Sequence, residues 1–494
     1  MVNLKKQVDK FREITGLIAK SLKGWHCAQR ALSVVLSVAL VLAFMPKTAF
    51  GEDGYTVDSG GNWTITTAAG LVALANKVNS GENSFEGKTV ILDSDIDLSP
   101  IYTAENPYWE PIGTIYSKSF RGSFDGGDHT ISNLHLNGEN NNTGLFGYIY
   151  NGTVENVTLD NVTCTEGTGE YIGGICGYCS GTISNCVVNG TITGGEYIGG
   201  ICGYRASDST ISDCLVKGTI TGGEYIGGIC GHFYRGNISR CIVSDSIISG
   251  KEKVGGICGE TSDGADKISR CAVSKTTISA TNLVGGICGR LYGVHIEECF
   301  SNADISGQIG VGGVCGGVSF GAEGKWSGIS GCYFTGTLTG ESEIGGIVGT
   351  SLYSSFDDHI SNCYSTGTLI GAGHIYNGIP LCYVGGIIGY DISCRCQNCV
   401  CLSAPEGIRG TGNPDVDVIA YTSAEYQDNR PASEVNGNPL SKGNDSNCFY
   451  RADLGPAPGI GQDGEAFQLT PGWQQKFIDL GWDETVWNIP VTDA

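Results

Sequence analysis

Four glutamates recur at one fixed place in this chain. Glu170, Glu196, Glu224 and Glu252 each stand three residues before a Gly-Gly step, and the first three are followed by Tyr171, Tyr197 and Tyr225. Carboxylates held in a row at a repeat spacing repel one another, so they raise each other's pKa or attract a cation. No cofactor is demanded by these residues, but calcium is the ion such a row could hold, with tyrosine faces beside it for sugar rings. The alternative is a solvated edge copied along with the repeat. A second cluster is Cys394, Cys396, Cys399 and Cys401, four thiols within eight residues, with Cys382 upstream. Four thiolates suit zinc. Yet Cys-x-Cys-x-x-Cys-x-Cys is not a common zinc spacing, and strand alternation would point near neighbours apart. Extra thiols on a terminal turn, one local disulfide or a metal set are therefore all open. Asp125 with Asp128, and Asp357 with Asp358, are the candidate carboxylate pairs for glycan cleavage, but both flank turn-forming residues. None of the seven histidines pairs at i, i+4, so the His-Glu-x-x-His zinc motif is absent. No catalytic residue emerges.

The elements that position these residues follow from repetition. From about residue 143 to 405 a segment of 26–30 residues, sometimes longer, recurs nine times. Two successive copies read Gly173-Gly174-Ile175-Cys176-Gly177…Ile183-Ser184-Asn185-Cys186 and Gly199-Gly200-Ile201-Cys202-Gly203…Ile211-Ser212-Asp213-Cys214. A fixed period of this size means one supersecondary element stacked many times, each burying its apolar side chains on its neighbours. The apolar runs are strand-length, rich in Ile, Val and Thr, and broken by Gly and Ser/Thr/Asn turns. This predicts an all-β fold: a parallel β-helix, or β-solenoid, of about nine coils, with a small N-terminal α/β cap and an irregular C-terminal region. Three inward columns stand out. One runs Ile172, Ile198, Ile226, Val254, Val284, Val311, Ile344, Val384. A second runs from Leu145 and Ile175 to Ile387, and a third from Val154 and Ile183 to Ile360. The Gly-Gly step either turns a corner or lets backbones approach closely.

The cysteines fall into two further columns. Cys176, Cys202, Cys230, Cys258, Cys288 and Cys315 share a place with Phe146, Val348 and Ile388. Cys186, Cys214, Cys241, Cys271, Cys299, Cys332, Cys363 and Cys399 share one with Val157. The substitutes are apolar, and Val348 occurs in a coil that keeps Cys363, so the two columns are not obligate partners. Adjacent coils about 4.8 Å apart are marginal for disulfide geometry. Buried thiols acting as small hydrophobes are the expectation.

Residues 1–51 read as a secretory signal: a basic start, an apolar run from Ala31 to Phe44, then Ala49-Phe50-Gly51 as a cleavage site. That segment has eight Lys/Arg and two Asp/Glu, so the chain of net charge −22 becomes −28 without it. Such acidity argues against nucleic acid and anionic membranes as partners, and no membrane span is expected in the mature chain. The organisation is then a signal at 1–51, an N-terminal cap at 52–112, repeats at 113–405 and an irregular cap or tail at 406–494. In the cap, Leu71, Leu74, Ala75 and Val78 share one face of a short helix. In the tail, Trp473, Trp482 and Trp487 suggest local packing or sugar stacking.

The copy Gly173-Gly174-Ile175-Cys176-Gly177-Tyr178…Gly181-Thr182-Ile183-Ser184-Asn185-Cys186 resembles the GLUG motif, and Trp63–Ala68 and Phe120–Ile131 resemble its entry segments. The likeness covers roughly residues 60–405. It implies a secreted or cell-surface bacterial protein, adhesin-like, or the non-catalytic region of an IgA-cleaving metallopeptidase. It supplies no catalytic residues. The cysteine columns depart from the usual Val, Ser or Ala. The expected function is a non-catalytic scaffold that binds an extracellular glycan or protein. The alternatives are a carbohydrate-active β-helix lyase or hydrolase, and the non-catalytic part of a longer extracellular peptidase.

Overall fold

The computed structural model describes residues 54–391 apart from 207–208, 263–266, 320–326, 352–358, 373, 377–378 and 382; beyond them it describes 395–397, 399–401 and five short strands, Ile408–Gly410, Asp415–Asp417, Ala420–Thr422, Phe449–Arg451 and Glu465–Phe467. Residues 57–494 form one compact unit, and of the preceding unit, 1–56, only residues 54–56 are described. The segment read as a signal, the three tail tryptophans, Cys382, Cys394, Asp357 and Asp358 lie outside the described residues.

Like residues stack because parallel strands pair in register. Ile172 pairs with Ile198, Ile198 with Ile226, and the column continues through Val254, Val284, Val311 and Ile344 to Val384. One coil shows the path. Ile198–Gly199 lies in a nine-stranded second sheet; the chain bends at Gly200–Ile201; Cys202–Arg205 and Ser209–Ser212 run in the first sheet; Leu215–Thr221 runs in the third. The result is a parallel β-solenoid of about ten turns. The link between the two first-sheet strands differs in length between coils. It vanishes in the single strand Cys176–Ser184 and reaches residues 320–327 between Cys315–Ser319 and Gly328–Ser330. One antiparallel hairpin, His374–Tyr376 with Ile379–Leu381, interrupts the pattern.

The Gly-Gly step does both things expected of it. Its second residue sits at the bend, and a Cβ on Gly174 would lie 2.7 Å from the Gly200 carbonyl oxygen and 2.8 Å from Val188. Left-handed backbone is found elsewhere, at Tyr197 (φ 59°) and Asp213 (φ 57°), which turn the other two corners.

The first-sheet ladder already runs through the N-terminal segment. Trp63–Ile65 pairs with Thr89–Leu92, which pairs with Ser123–Asp125, which pairs with Phe146–Glu155. The helix Ala68–Asn79 buries Leu71, Leu74, Ala75 and Val78, the face its spacing predicted. Larger side chains fill this end: Trp63, Phe85, Phe120, Phe124 and Phe146 form a chain of ring contacts at 5.1–6.2 Å. No helix among the described residues is long and apolar enough to cross a membrane.

Both cysteine columns point inward. Cys202 pairs in register with Cys176 and Cys230, and the column continues to Cys315 and then Val348. These thiols are free and buried. They are more than small hydrophobes. Each first-column thiol donates to the carbonyl two residues ahead, as Cys202 does to Tyr204 at 3.3 Å. From Cys186 to Cys363 each second-column thiol donates to the carbonyl two residues behind, as Cys214 does to Ser212 at 3.2 Å, and Cys399 donates to the Ile360 carbonyl at 3.6 Å. Burial pushes the Cys176, Cys202, Cys258, Cys288 and Cys315 thiols up, which keeps them protonated donors.

Two outcomes follow from this core. Ile238→Ala should cost about 2–5 kcal/mol, as for other buried isoleucines, read as a lower urea midpoint; a shift as small as that of outward Thr219→Ala would contradict the packing. The ladder thiols should be inert to Ellman's reagent in the native protein and react on unfolding. Rapid native reaction of a Cys202- or Cys241-only variant would place those side chains outside the core.

Candidate functional site

The glutamate row and its tyrosines occupy the corner that leads into the second sheet. Glu224 and Glu252 are register partners. The rungs before them are joined through the backbone: Tyr171 N–H donates to the Glu196 carbonyl at 3.1 Å and Tyr197 N–H to that of Glu224 at 3.0 Å. All four glutamates are half-exposed. Tyr171, Tyr197 and Tyr225 follow at φ 59–61°, unfavourable for bulky side chains, and Lys253 takes the same conformation at φ 56°. That turn throws the rings onto one another. Tyr171 stacks on Tyr197 at 4.9 Å, Tyr197 on Tyr225 at 4.5 Å, and the Lys253 ammonium closes the stack 4.2 Å from the Tyr225 ring centre.

A second stack stands beside the first. Tyr148, Tyr178, Tyr204 and His232 are in register two residues beyond the first cysteine column, with centroids 4.4, 5.1 and 4.9 Å apart. Rings of the two stacks meet edge to face, as Tyr197 does with Tyr204 at 5.9 Å and 73°, the arrangement their quadrupoles favour. The column then changes from aromatic to charged. Glu260 succeeds His232 and Arg290 succeeds Glu260, with a 3.3 Å Arg290–Glu260 ion pair.

The sequence expectation offered the tyrosine faces to sugars. The structure gives those faces to neighbouring rings, because one strand spacing is close to a ring-stacking distance. Outside molecules meet ring edges, hydroxyls and the carboxylate row instead. That row contains one cation of the chain's own: Lys253 Nζ lies 3.4 Å from Glu224, 4.0 Å from Glu252 and 3.0 Å from the Tyr225 hydroxyl. Burial, followed by the Glu224 and Glu170 charges, raises the Glu196 carboxyl, with Lys253 opposing. Burial lowers Lys253, but the Tyr225 hydroxyl, Glu260 and Glu224 outweigh it and the ammonium is raised. Burial, aided by Lys253, pulls His232 down to about 4, so this ring is neutral within the stack. Its Nε2 lies 2.8 Å from the Ser262 hydroxyl.

Among the described residues no three His, Cys, Asp or Glu side chains converge on a metal position. Cys396 is buried in the isoleucine column, paired with Ile360, while Cys399 is buried in the second cysteine column. Cys401 lies on the strand Val400–Cys401, and Cys394 is outside the described residues. Asp125 accepts from Gly127 N–H and from the Asn156 amide, both at 2.9 Å, and is held in its turn. Sequence reasoning did not single out Tyr148, Tyr178, Tyr204, His232 and Lys253. The available signal was the Gly-Tyr that follows Phe146, Cys176 and Cys202, succeeded by Gly231-His232 after Cys230.

Fold and surface together define a β-solenoid repeat scaffold, its polar and aromatic groups laid out in columns along the outside. No family model matches the chain. It is similar to halomucin of Haloquadratum walsbyi, 36% identical over 165 residues, which is 30% of this chain and 2% of that protein. Among solved structures it is similar to a protein proposed to be an immunoglobulin A1 protease from Bacteroides ovatus, at 18% identity and a TM-score of 0.35, with 77% of this chain and 89% of that one covered.

The pKa directions set a pH test. A histidine whose folded pKa is depressed to about 4 leaves full stability above its unfolded value of about 6.5, and that stability is lost as pH falls between the two. His232→Tyr, the residue found in the three preceding rungs, should flatten melting temperature against pH over that window. Unchanged acid sensitivity would show that His232 is not the group being charged.

Proposed function

We propose that this protein is a secreted or surface-associated scaffold with adhesin-like, non-catalytic binding to extracellular glycans or proteins, its recognition spread along the rod. The observation that carries this reading is distribution: Glu170, Glu196, Glu224 and Glu252 and the two aromatic stacks run in columns across successive coils. A polymer or extended partner would meet the same side chains at every coil, and many weak contacts in series give avidity. The candidate acid pair does not favour catalysis, since Asp125 is engaged in its turn. Placement outside the cell is supported by the signal-like segment 1–51 and by likeness to a protein named as a mucin. The GLUG reading of the repeat and the divisions at 51, 112 and 405 belong to the same proposal. The chain spans only 2% of the length of halomucin, so the activity of any longer protein is part of the proposal too.

The test passes the purified protein over immobilised mucin, plant glycans and matrix proteins, with and without calcium, reading bound protein and released reducing ends. Retention without product is expected, weakened about tenfold, or ~1.4 kcal/mol, in a Glu170→Gln, Glu196→Gln, Glu224→Gln variant. Calcium dependence lost in that variant would assign the ion to the row. Released reducing ends from any glycan would overturn the non-catalytic reading.

A further inference from the structure

The outer surface of the third sheet is built differently from the glutamate corner. Parallel register makes its outward residues columns. One holds Thr191, Thr219, Thr277, Thr337 and Thr368, interrupted by Ile247 and Asp304. Two residues further along each strand a second holds Thr193, Thr221, Ser249, Ser279, Ser306 and Thr339. Hydroxyls therefore recur about every 4.8 Å along the rod and about 6.6 Å across it, and Thr221 and Ser249 are bonded to each other at 3.2 Å. At the start of the same strands an apolar column runs Val187, Leu215, Ile242, Ala272, Phe300, Tyr333. It faces out: Ile242 is 44% exposed and Ile247, in the adjoining column, 52%.

The charge of this face narrows its partner. Between Val187 and Ile370 these strands and the bends within them carry Lys217 and Lys275 against Asp245 and Asp304 on the outside, a net of zero, whereas the chain carries −22. A neutral face offers no charge of its own to pair with a cationic or an acidic partner, and the acidic remainder of the chain repels the acidic one. Its straight rows of hydroxyl and apolar groups fit a ligand that is itself uncharged, extended and periodic. Such a ligand must offer hydroxyls to the threonines and C–H faces to the apolar row. We propose that the third-sheet face binds a neutral, extended polysaccharide lying along the rod. This deepens the scaffold reading above and rests on it, adding the third-sheet face as a contact surface distinct from the Glu-Tyr corner.

The experiment measures depletion of the intact protein by microcrystalline cellulose and by chitin, with polygalacturonate as the acidic comparison. Three proteins are compared: the parent, Thr219→Glu with Thr277→Glu, and Glu86→Gln. The expected result is retention on a neutral polymer that survives high salt, falls at least tenfold in the Thr→Glu variant and is unchanged in Glu86→Gln, an exposed site away from both faces. Circular dichroism checks the fold; should the Thr→Glu variant lose its spectrum, Thr219→Ala with Thr277→Ala should show the same fall. Retention untouched by either threonine variant overturns the proposal, as does retention on polygalacturonate alone. Self-association abolished by the threonine variants, without polymer binding, would assign the face to a second copy of the chain and overturn it too. Binding to mucin or matrix proteins with none to neutral polymers would sink this inference and leave the scaffold reading standing. Binding to nothing would sink both.

Discussion

Everything in this structure depends on parallel strands that return to the same register on either side of the few bulges between them. When Ile198 meets Ile226 and Cys202 meets Cys230, a residue type chosen once is presented again one strand spacing further on. Inside the rod this repetition fills the interior with like on like. Outside, it multiplies whatever a single coil displays. A shift of one residue would exchange the two sets, so the isoleucine columns that stabilise the fold also hold the surface columns in line. Stability and display are consequences of one registration.

The cysteines show how the interior tolerates a reactive side chain. Each ladder thiol is enclosed by its own coil and its two neighbours, with a backbone carbonyl to donate to. Where the column needs no donor it accepts Phe146, Val348 or Ile388 at the same place. The place thus takes apolar side chains of quite different bulk, and a cysteine there adds a weak S–H hydrogen bond to its packing.

The fold was legible in the sequence because periodicity and burial are written in the same residues. The columns through Ile172, Ile175 and Ile183 could be read off directly, as could the buried face of the helix Ala68–Asn79. The site was only half legible. Glu170, Tyr171 and their successors were visible as a column, but the left-handed backbone at the tyrosines was not, since nothing in the residue type announces a positive φ at Tyr. That conformation is what stacks the rings and takes their faces out of play. The second stack was missed because Tyr178 and Tyr204 give way to His232, Glu260 and Arg290, and a column whose chemistry changes does not look like one.

Coil length varies at two places: the link between the two first-sheet strands, from nothing in Cys176–Ser184 to residues 320–327, and the passage from third sheet to second, lengthened to residues 372–382 by the hairpin. A rod of this kind can therefore vary in two independent ways. Whole coils can be gained or lost, which changes the length of the rod. A single link can be lengthened, which decorates one seam. Neither change alters the in-register pairing on the remaining faces, so the length of the rod and the shape of one seam are set independently of what the other faces display.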